Sequence, residues 1–331
     1  MQIIMPTVRD LLPCTLDESA GPDCQEYLSC VLSVRQIGNT GCQAYRMFIG
    51  DRCANLISMP YSPGSLEMKK SQLWTALAIG LLLLVSMQSG YADQPWTQSG
   101  AKVGQEITGP DGAKMVWVPA GEFTMGADDL GAPSQPVHKV VITKGFWLGK
   151  CTVTISQWKR YLGKEDATVQ PTNDYPAVCI TWQQAVDYCR HYGMSLPTEA
   201  QWEYAARGPE GRKYPWGDQW DVKKCCNVDN RGPAGFTWPV GSFPEGTSWC
   251  GALDMAGNIW QWCNDWYDER YYANSPSVDP PGPADPTPQK YRVLRGGSCN
   301  WDANVCRSAY HDWGDPNSRT GIYGFRCVIV P

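Results

Sequence analysis

An α+β fold with little regular secondary structure is predicted for residues 115–331 of this chain, on three observations. Three helix-start signatures follow one another between 154 and 201. Short alternating apolar segments precede them. After Gly208 the helical pattern stops, and turns, aromatics and brief extended runs take over. The 33 glycines and 26 prolines suit such a loop-rich architecture, and 16 tryptophans give it a substantial core.

Residues 93–114 are polar and form a lead-in. Met115-Val116-Trp117-Val118 reads as a strand, 119–121 as a turn, and 122–126 as the next extended run. Residues 138–143 and 146–151 alternate like the two arms of a hairpin turned at Lys144-Gly145. Thr154, Thr181 and Thr198 each have a glutamine three residues on (Gln157, Gln184 and Gln201). Each pair is a capping box, in which the threonine hydroxyl and the glutamine side chain satisfy orphan N–H groups of the first turn. In the second helix Trp182, Ala185, Val186 and Cys189 share one face, so that face is core and Cys189 points inward toward a partner cysteine. Gly193 supplies the left-handed residue that ends it. Residues 276–288 hold six prolines and read as an exposed loop.

The net charge of −5, with no basic patch, excludes nucleic acid as the expected partner. Met68-Lys69-Lys70, the apolar run 73–85 and the small residues Gly90 and Ala92 match the three regions of an export signal at 68–92. The run is short for a membrane span of roughly 20 residues. The expectation is cleavage after Ala92, a periplasmic or secreted domain, and no membrane contact beyond the signal. Residues 1–67 carry five cysteines and no sustained period; Met68 as the true start is the simplest account of them.

From Met68 onward ten cysteines remain: 151, 179, 189, 225, 226, 250, 263, 299, 306 and 327. An even number in an exported domain reads as a disulfide framework. Cys299 with Cys306 is one plausible pair. There is no Cys-x-x-Cys and the three histidines do not cluster, so zinc is not expected.

Seven blocks then line up in order: 119–126, 196–208 (opening Leu196-Pro197-Thr198-Glu199), Tyr214-Pro215-Trp216-Gly217, 239–244, 254–262 (with Gly257-Asn258-Ile259-Trp260-Gln261-Trp262), Arg295-Gly296-Gly297-Ser298, and Gly324-Phe325-Arg326. Together they resemble the formylglycine-generating enzyme, or sulfatase-modifying factor, family. The resemblance implies that family's variant of the C-type lectin fold. It also implies a disulfide between Cys189 and Cys327. Arg295 and Arg326 are expected in buried ion pairs or backbone hydrogen bonds, with Glu203 or Asp265 as partners.

The family's parent activity oxidises a sulfatase cysteine to formylglycine with O2 and a copper ion on two thiolates, spaced Cys-x4-Cys after Arg-Gly-Gly-Ser. Soft thiolates suit Cu(I). Here the spacing is Cys-x6-Cys, with Trp301 at the first thiolate position, so the copper pair does not carry over intact. Cys306 matches the second position when no gap is introduced; with Ser298 it is the candidate catalytic residue. The family's iron-dependent branch takes histidines from an extra helical domain that this chain does not show, and an exported branch acts on siderophore precursors without the copper pair.

Calcium is the family's other metal. The matching positions are Asp254, Gly257, Ile259 and Gln261, with a second set at Asn227 and Val228, near Asp229. Gln261 stands where the family has Glu, and an amide is the weaker ligand for a hard cation. The chain's end also resembles variable proteins of diversity-generating retroelements, which use the same fold for binding. On that resemblance Asn300, Trp301, Asp302, Asn304, His311, Trp313 and Tyr323, with Trp260 on the same concave surface, would contact a protein, peptide or small-molecule ligand, a mixture of aromatic and small polar groups that suits adaptable recognition.

Overall fold

The structure is a computed structural model that describes the strands at 42–49 and 52–60, and residues 94–331 apart from 132–133, 164–172, 234 and 286. The expected export signal at 68–92 lies outside the described residues. The chain divides into two units, Met1–Leu83 and Leu84–Pro331. In the first, β1 (Cys42–Ile49) and β2 (Arg52–Pro60) form an antiparallel hairpin with an irregularity between Ala44 and Arg46. The apolar residues of these strands do not alternate regularly, which is why no strand period showed in the sequence. Among the described residues no helix is long and apolar enough to cross a membrane.

The second unit is the α+β body. Its strands are β3 (Glu106–Thr108), β4 (Lys114–Val118), β5 (Gly121–Met125), β6 (His138–Ile142), β7 (Phe146–Gly149), β8 (Trp260–Trp266), β9 (Arg292–Arg295), β10 (His311–Gly314), β11 (Tyr323–Gly324) and β12 (Val328–Ile329). Its helices are α1 (Ile155–Leu162), α2 (Trp182–His191) and α3 (Glu199–Arg207). All three helices open on the expected capping boxes, with Thr154, Thr181 and Thr198 each accepting from the N–H of its glutamine. Gly193, at φ 69°, follows α2.

The hairpin expected across 138–151 does not form. β6 pairs with β5, and β7 joins a four-stranded sheet in the order β12-β7-β4-β3. Burial gives the reason. On β4, Val116 and Val118 enter one apolar cluster while Met115 and Trp117 enter another. On β7, Phe146 and Leu148 join the first and Trp147 the second. The central strands are therefore covered on both faces, and two-sided burial favours pairing them with each other. α3 packs into the first cluster through Trp202, Tyr204 and Ala205; α2 packs into the second through Ala185, Tyr188 and Cys189.

The other large sheet runs β10-β9-β8-β11, with β11 parallel to β8. A loop over 296–310 joins β9 to β10 and carries Ser298, Asn300, Trp301, Asp302, Asn304 and Cys306. The C-terminal strand returns to the core: Ser195 and Val328 exchange backbone hydrogen bonds at 2.8 and 3.0 Å, and the Cys189 and Cys327 sulfurs stand 3.4 Å apart beneath α2.

Candidate functional site

The 296–310 loop begins with two glycines whose conformations other residues rarely adopt. Gly296 has φ 94° and Gly297 φ 73°. A Cβ on Gly296 would lie 3.1 Å from both Gln261 and Trp202; one on Gly297 would lie 3.0 Å from the Val305 carbonyl and 3.2 Å from the Cys306 sulfur. The pair thus lets the chain reverse tightly against β8.

Arg295 anchors the loop from below. It is fully buried and donates to Glu203 Oε2 at 2.6 Å, to the Tyr272 hydroxyl at 3.0 Å, and to the Ser308 and Tyr310 carbonyls at 3.1 and 3.3 Å. Glu199, Glu203 and Arg207 lie at steps of four along α3, so they form one stripe. Glu203 Oε1 accepts from Arg207 and from the Gly126 N–H, both at 2.8 Å. Glu199 Oε1 accepts from His311 Nδ1 at 2.5 Å and from Tyr272 at 3.0 Å, and lies 3.0 Å from Arg295. Burial alone would push the Glu199 carboxyl up, but the charges of His311 and Arg295 and its hydrogen bonds hold it down at about 2. Asp265, whose Oδ2 accepts the Glu199 N–H at 2.8 Å, goes the other way. Burial, with the Glu199 charge beside it, pushes its carboxyl well above the usual range.

Glu203 is thus the partner of Arg295, and Asp265 pairs with the α3 backbone instead. Arg326 takes no carboxylate. Its guanidinium donates to Gln261 Oε1 at 2.6 Å and to the carbonyls of Gly149, Lys150, Leu253 and Asp254 at 2.8 to 3.3 Å.

The calcium positions are spent on this lattice. Gln261 Oε1 accepts from Trp202 Nε1 and Arg326 Nε, and its Nε2 donates to the Asp254 carbonyl at 2.8 Å. The Asp254 carboxylate accepts the Gly241 N–H at 2.7 Å and a hydrogen bond from the Cys151 thiol. The Gly257 N–H donates to Gly296, and Ile259 is a core residue. At the second set, Asn227 is fully buried; its Nδ2 donates to the Val222 and Cys225 carbonyls and its Oδ1 accepts from the Asp229 N–H. Val228 bonds through its N–H to the Trp301 carbonyl at 3.0 Å. N–H donors thus occupy side-chain oxygens of Gln261, Asp254 and Asn227, so these side chains do not stand open to a hard cation. Among the described residues no group of three or more His, Cys, Asp or Glu is placed to hold a metal ion.

The copper test gives a similar result. Cys306 has no exposed surface, and its thiol is hydrogen-bonded to Cys225; that bond and burial push it well above the usual thiol range. Ser298 is equally buried and its Oγ accepts from the Asn300 N–H. Cys299 does not pair with Cys306 as the sequence suggested. Its thiol meets Cys226, whose donated hydrogen bond lowers it against the effect of burial. Trp301, at the first thiolate position, is 44% exposed. Neither position 301 nor position 306 presents an open thiolate, so the family's copper centre does not fit these two residues.

The proposed contact residues separate into two groups. Asn300, Trp301, Asp302, Asn304 and Trp313 are exposed and Tyr323 is half-buried. Trp260 and His311 are core: Trp260 packs in the second cluster, and His311 pairs across the sheet with Arg295, facing Glu199. The sequence reading placed Val228 only in the second calcium set and missed Phe236; both are exposed apolar residues on the loop beside 299–304. That loop is tied in by Val228 to Trp301, by the Cys226 thiol to the Phe236 carbonyl at 3.5 Å, and by Arg231 Nε to the Cys299 carbonyl at 3.2 Å. The adjacent cysteines 225 and 226 were the available signal, since two partners for them had to come from elsewhere in the chain.

A match to the sulfatase-modifying factor enzyme 1-like domain spans residues 101–330. The chain belongs to this family. It is 41% identical over 216 residues to a formylglycine-generating enzyme of Streptomyces coelicolor, covering 60% of this chain and 65% of that protein. It is 32% identical over 270 residues to the serine/threonine-protein kinase Pkn1 of Chlamydia trachomatis, covering 73% of this chain and 42% of that one. The chain thus spans less than two thirds of the length of either relative. Among solved structures, PvdO from Pseudomonas aeruginosa matches with a TM-score of 0.60 at 26% identity, over 70% of this chain and all of that one. Treponema denticola variable protein 1 matches at 0.56 and 23% identity, over 66% and 95%, a likeness of fold. The family membership and the α+β fold anticipated from the seven blocks are both established by these findings.

Proposed function

We propose that this family member works by binding, through the face built from loops 226–236 and 299–304, and that its partner is a protein, peptide or small molecule. The observation that carries this is the contrast between Trp301 and Cys306. The indole is exposed where the copper enzymes present a thiolate, while the thiol that could replace it is wholly buried. Around Trp301 the same face presents Val228 at 38% and Phe236 at 56% exposure, with Asn300, Asp302 and Asn304 at its rim. Exposed aromatics ringed by small polar groups supply contact area and adaptable hydrogen bonds together. The basic and apolar run at 68–85 supports action outside the cytoplasm, in the periplasm or after secretion.

A formylglycine-forming oxidase is the second reading. The 41% identity to the Streptomyces coelicolor protein favours it, although shared fold does not by itself carry an activity. One experiment separates the two. Peptides are selected from a display library on the full-length protein, and the protein is also incubated with a Cys-x-Pro-x-Arg peptide, Cu(I) and O2. The binding reading expects selected peptides to lose affinity for Trp301→Ala, and expects the Cys-x-Pro-x-Arg peptide to keep its mass. Conversion of that peptide to an aldehyde overturns it.

A further inference from the structure

The vicinal pair Cys225-Cys226 stands opposite Cys299 and Cys306, and backbone geometry assigns each thiol one partner. Cys225 is extended, with φ −156° and ψ 163°. Neighbouring side chains on extended backbone leave in opposite directions, so the two sulfurs diverge. Cys225 packs with Cys306 and Ala256 in a small buried cluster. The Cys226 thiol hydrogen-bonds to that of Cys299. The backbones on both sides are already in register. The Asn258 N–H donates to the Cys226 carbonyl at 2.9 Å, and the Cys299 N–H donates to the Asn258 carbonyl at 3.0 Å. The Trp301 carbonyl accepts from Val228, and Gly297 leaves room for the Cys306 sulfur. The four thiols form two pairs and not one cluster, since among the described residues no set of three metal-capable groups converges.

We propose that Cys225–Cys306 and Cys226–Cys299 are two parallel disulfide sites that rivet the 299–306 loop to the 225–236 loop, oxidised by a small disulfide such as oxidised glutathione. In each, one cysteine thiolate attacks the glutathione disulfide. A mixed disulfide forms and one glutathione thiolate leaves and takes up a proton. The partner thiol then loses its proton and attacks the protein sulfur of the mixed disulfide, expelling the second glutathione. Two protein thiols are oxidised and one glutathione disulfide is reduced to two thiols. The exchange runs while the loops are open, before the sulfurs are buried. The Cys-x6-Cys spacing gains a purpose, because it sets the two sulfurs at either end of the 299–306 segment, each facing a different member of the vicinal pair.

The full-length chain is refolded in the presence of oxidised glutathione, denatured, alkylated without reductant, and digested with trypsin and Asp-N. These enzymes place Cys225 and Cys226 on fragment 225–228, Cys299 on 296–301 and Cys306 on 302–307. The expected product is 225–228 joined to both other fragments, four hydrogens lighter than the sum of the three and released by reductant. Cys225→Ser is expected to keep only the link to 296–301, and Cys226→Ser only the link to 302–307. A direct 296–301 to 302–307 link, a bridge within 225–228, crossed links in the variants, or alkylation of all four thiols in the glutathione-treated protein overturns the assignment.

Discussion

Replacing Glu199 by Gln probes the charge network that seats the loop. The carboxylate is buried at the start of α3, bonded to His311 and Tyr272 and 3.0 Å from Arg295. The amide keeps the shape and can still accept from Tyr272, but it loses the ion pair with Arg295 and the charge-assisted hydrogen bond to His311. The gap between about 2 in the fold and the ordinary 4.5, at about 1.36 kcal/mol per pH unit, comes to about 3 kcal/mol. The sign follows from the depressed value. The stabilisation is complete above pH 4.5 and is lost as the pH falls from there toward 2. The figure is a ceiling, because removing the Glu199 charge also relieves Asp265, which that charge helps hold above its usual range. Urea denaturation of wild type and variant at steps from pH 7 to pH 2 measures both quantities. The variant is expected to be less stable at pH 7 by up to about 3 kcal/mol, and the difference is expected to shrink in acid. A difference that stays constant across this window refutes the reasoning, since the carboxylate would then contribute nothing through its charge.

Arg326→Met leaves the Gln261 amide oxygen and four backbone carbonyls without their common donor in the interior. Buried acceptors stripped of a charged donor are costly, so a loss of about 3–5 kcal/mol is expected in chemical denaturation; a loss under about 1 kcal/mol contradicts the contact set. Calcium is expected to leave the melting temperature unchanged, because the oxygens of Asp254, Gln261 and Asn227 are engaged by N–H donors. A rise on adding Ca2+ to chelator-treated protein would show that the ion competes for them.

Local chemistry made part of this fold legible in the sequence. A capping box is written within four residues, and Thr154, Thr181 and Thr198 all cap as expected. What could not be read was pairing between distant segments. Residues 138–142 have the same alternation whether they pair with 146–149 or with 121–125, and only burial of β4 and β7 on both sides decides. His311 and Trp313 are two apart on β10 and look alike as loop-face candidates, yet His311 is buried beside Glu199 while Trp313 is exposed. The stripe of Glu199, Glu203 and Arg207 was visible as a spacing of four. Its burial was not, because three charged residues at that spacing more often face water. Cys299 and Cys306 looked like partners because they are near in sequence; each has a different neighbour in space.

Arg295 grips the far end of its own loop, donating to the carbonyls of Ser308 and Tyr310, while the side chains at Asn300, Trp301 and Asn304 project into solvent. Framework and tip are therefore separable. Substitutions at Trp301 and Asn304 should change stability by no more than about 0.5 kcal/mol, while at Asn300 a substitution also removes the acceptor of the buried Cys299 thiol. A lineage carrying this scaffold could revise what it recognises one residue at a time, drawing a repertoire of specificities from a body that never has to be rebuilt.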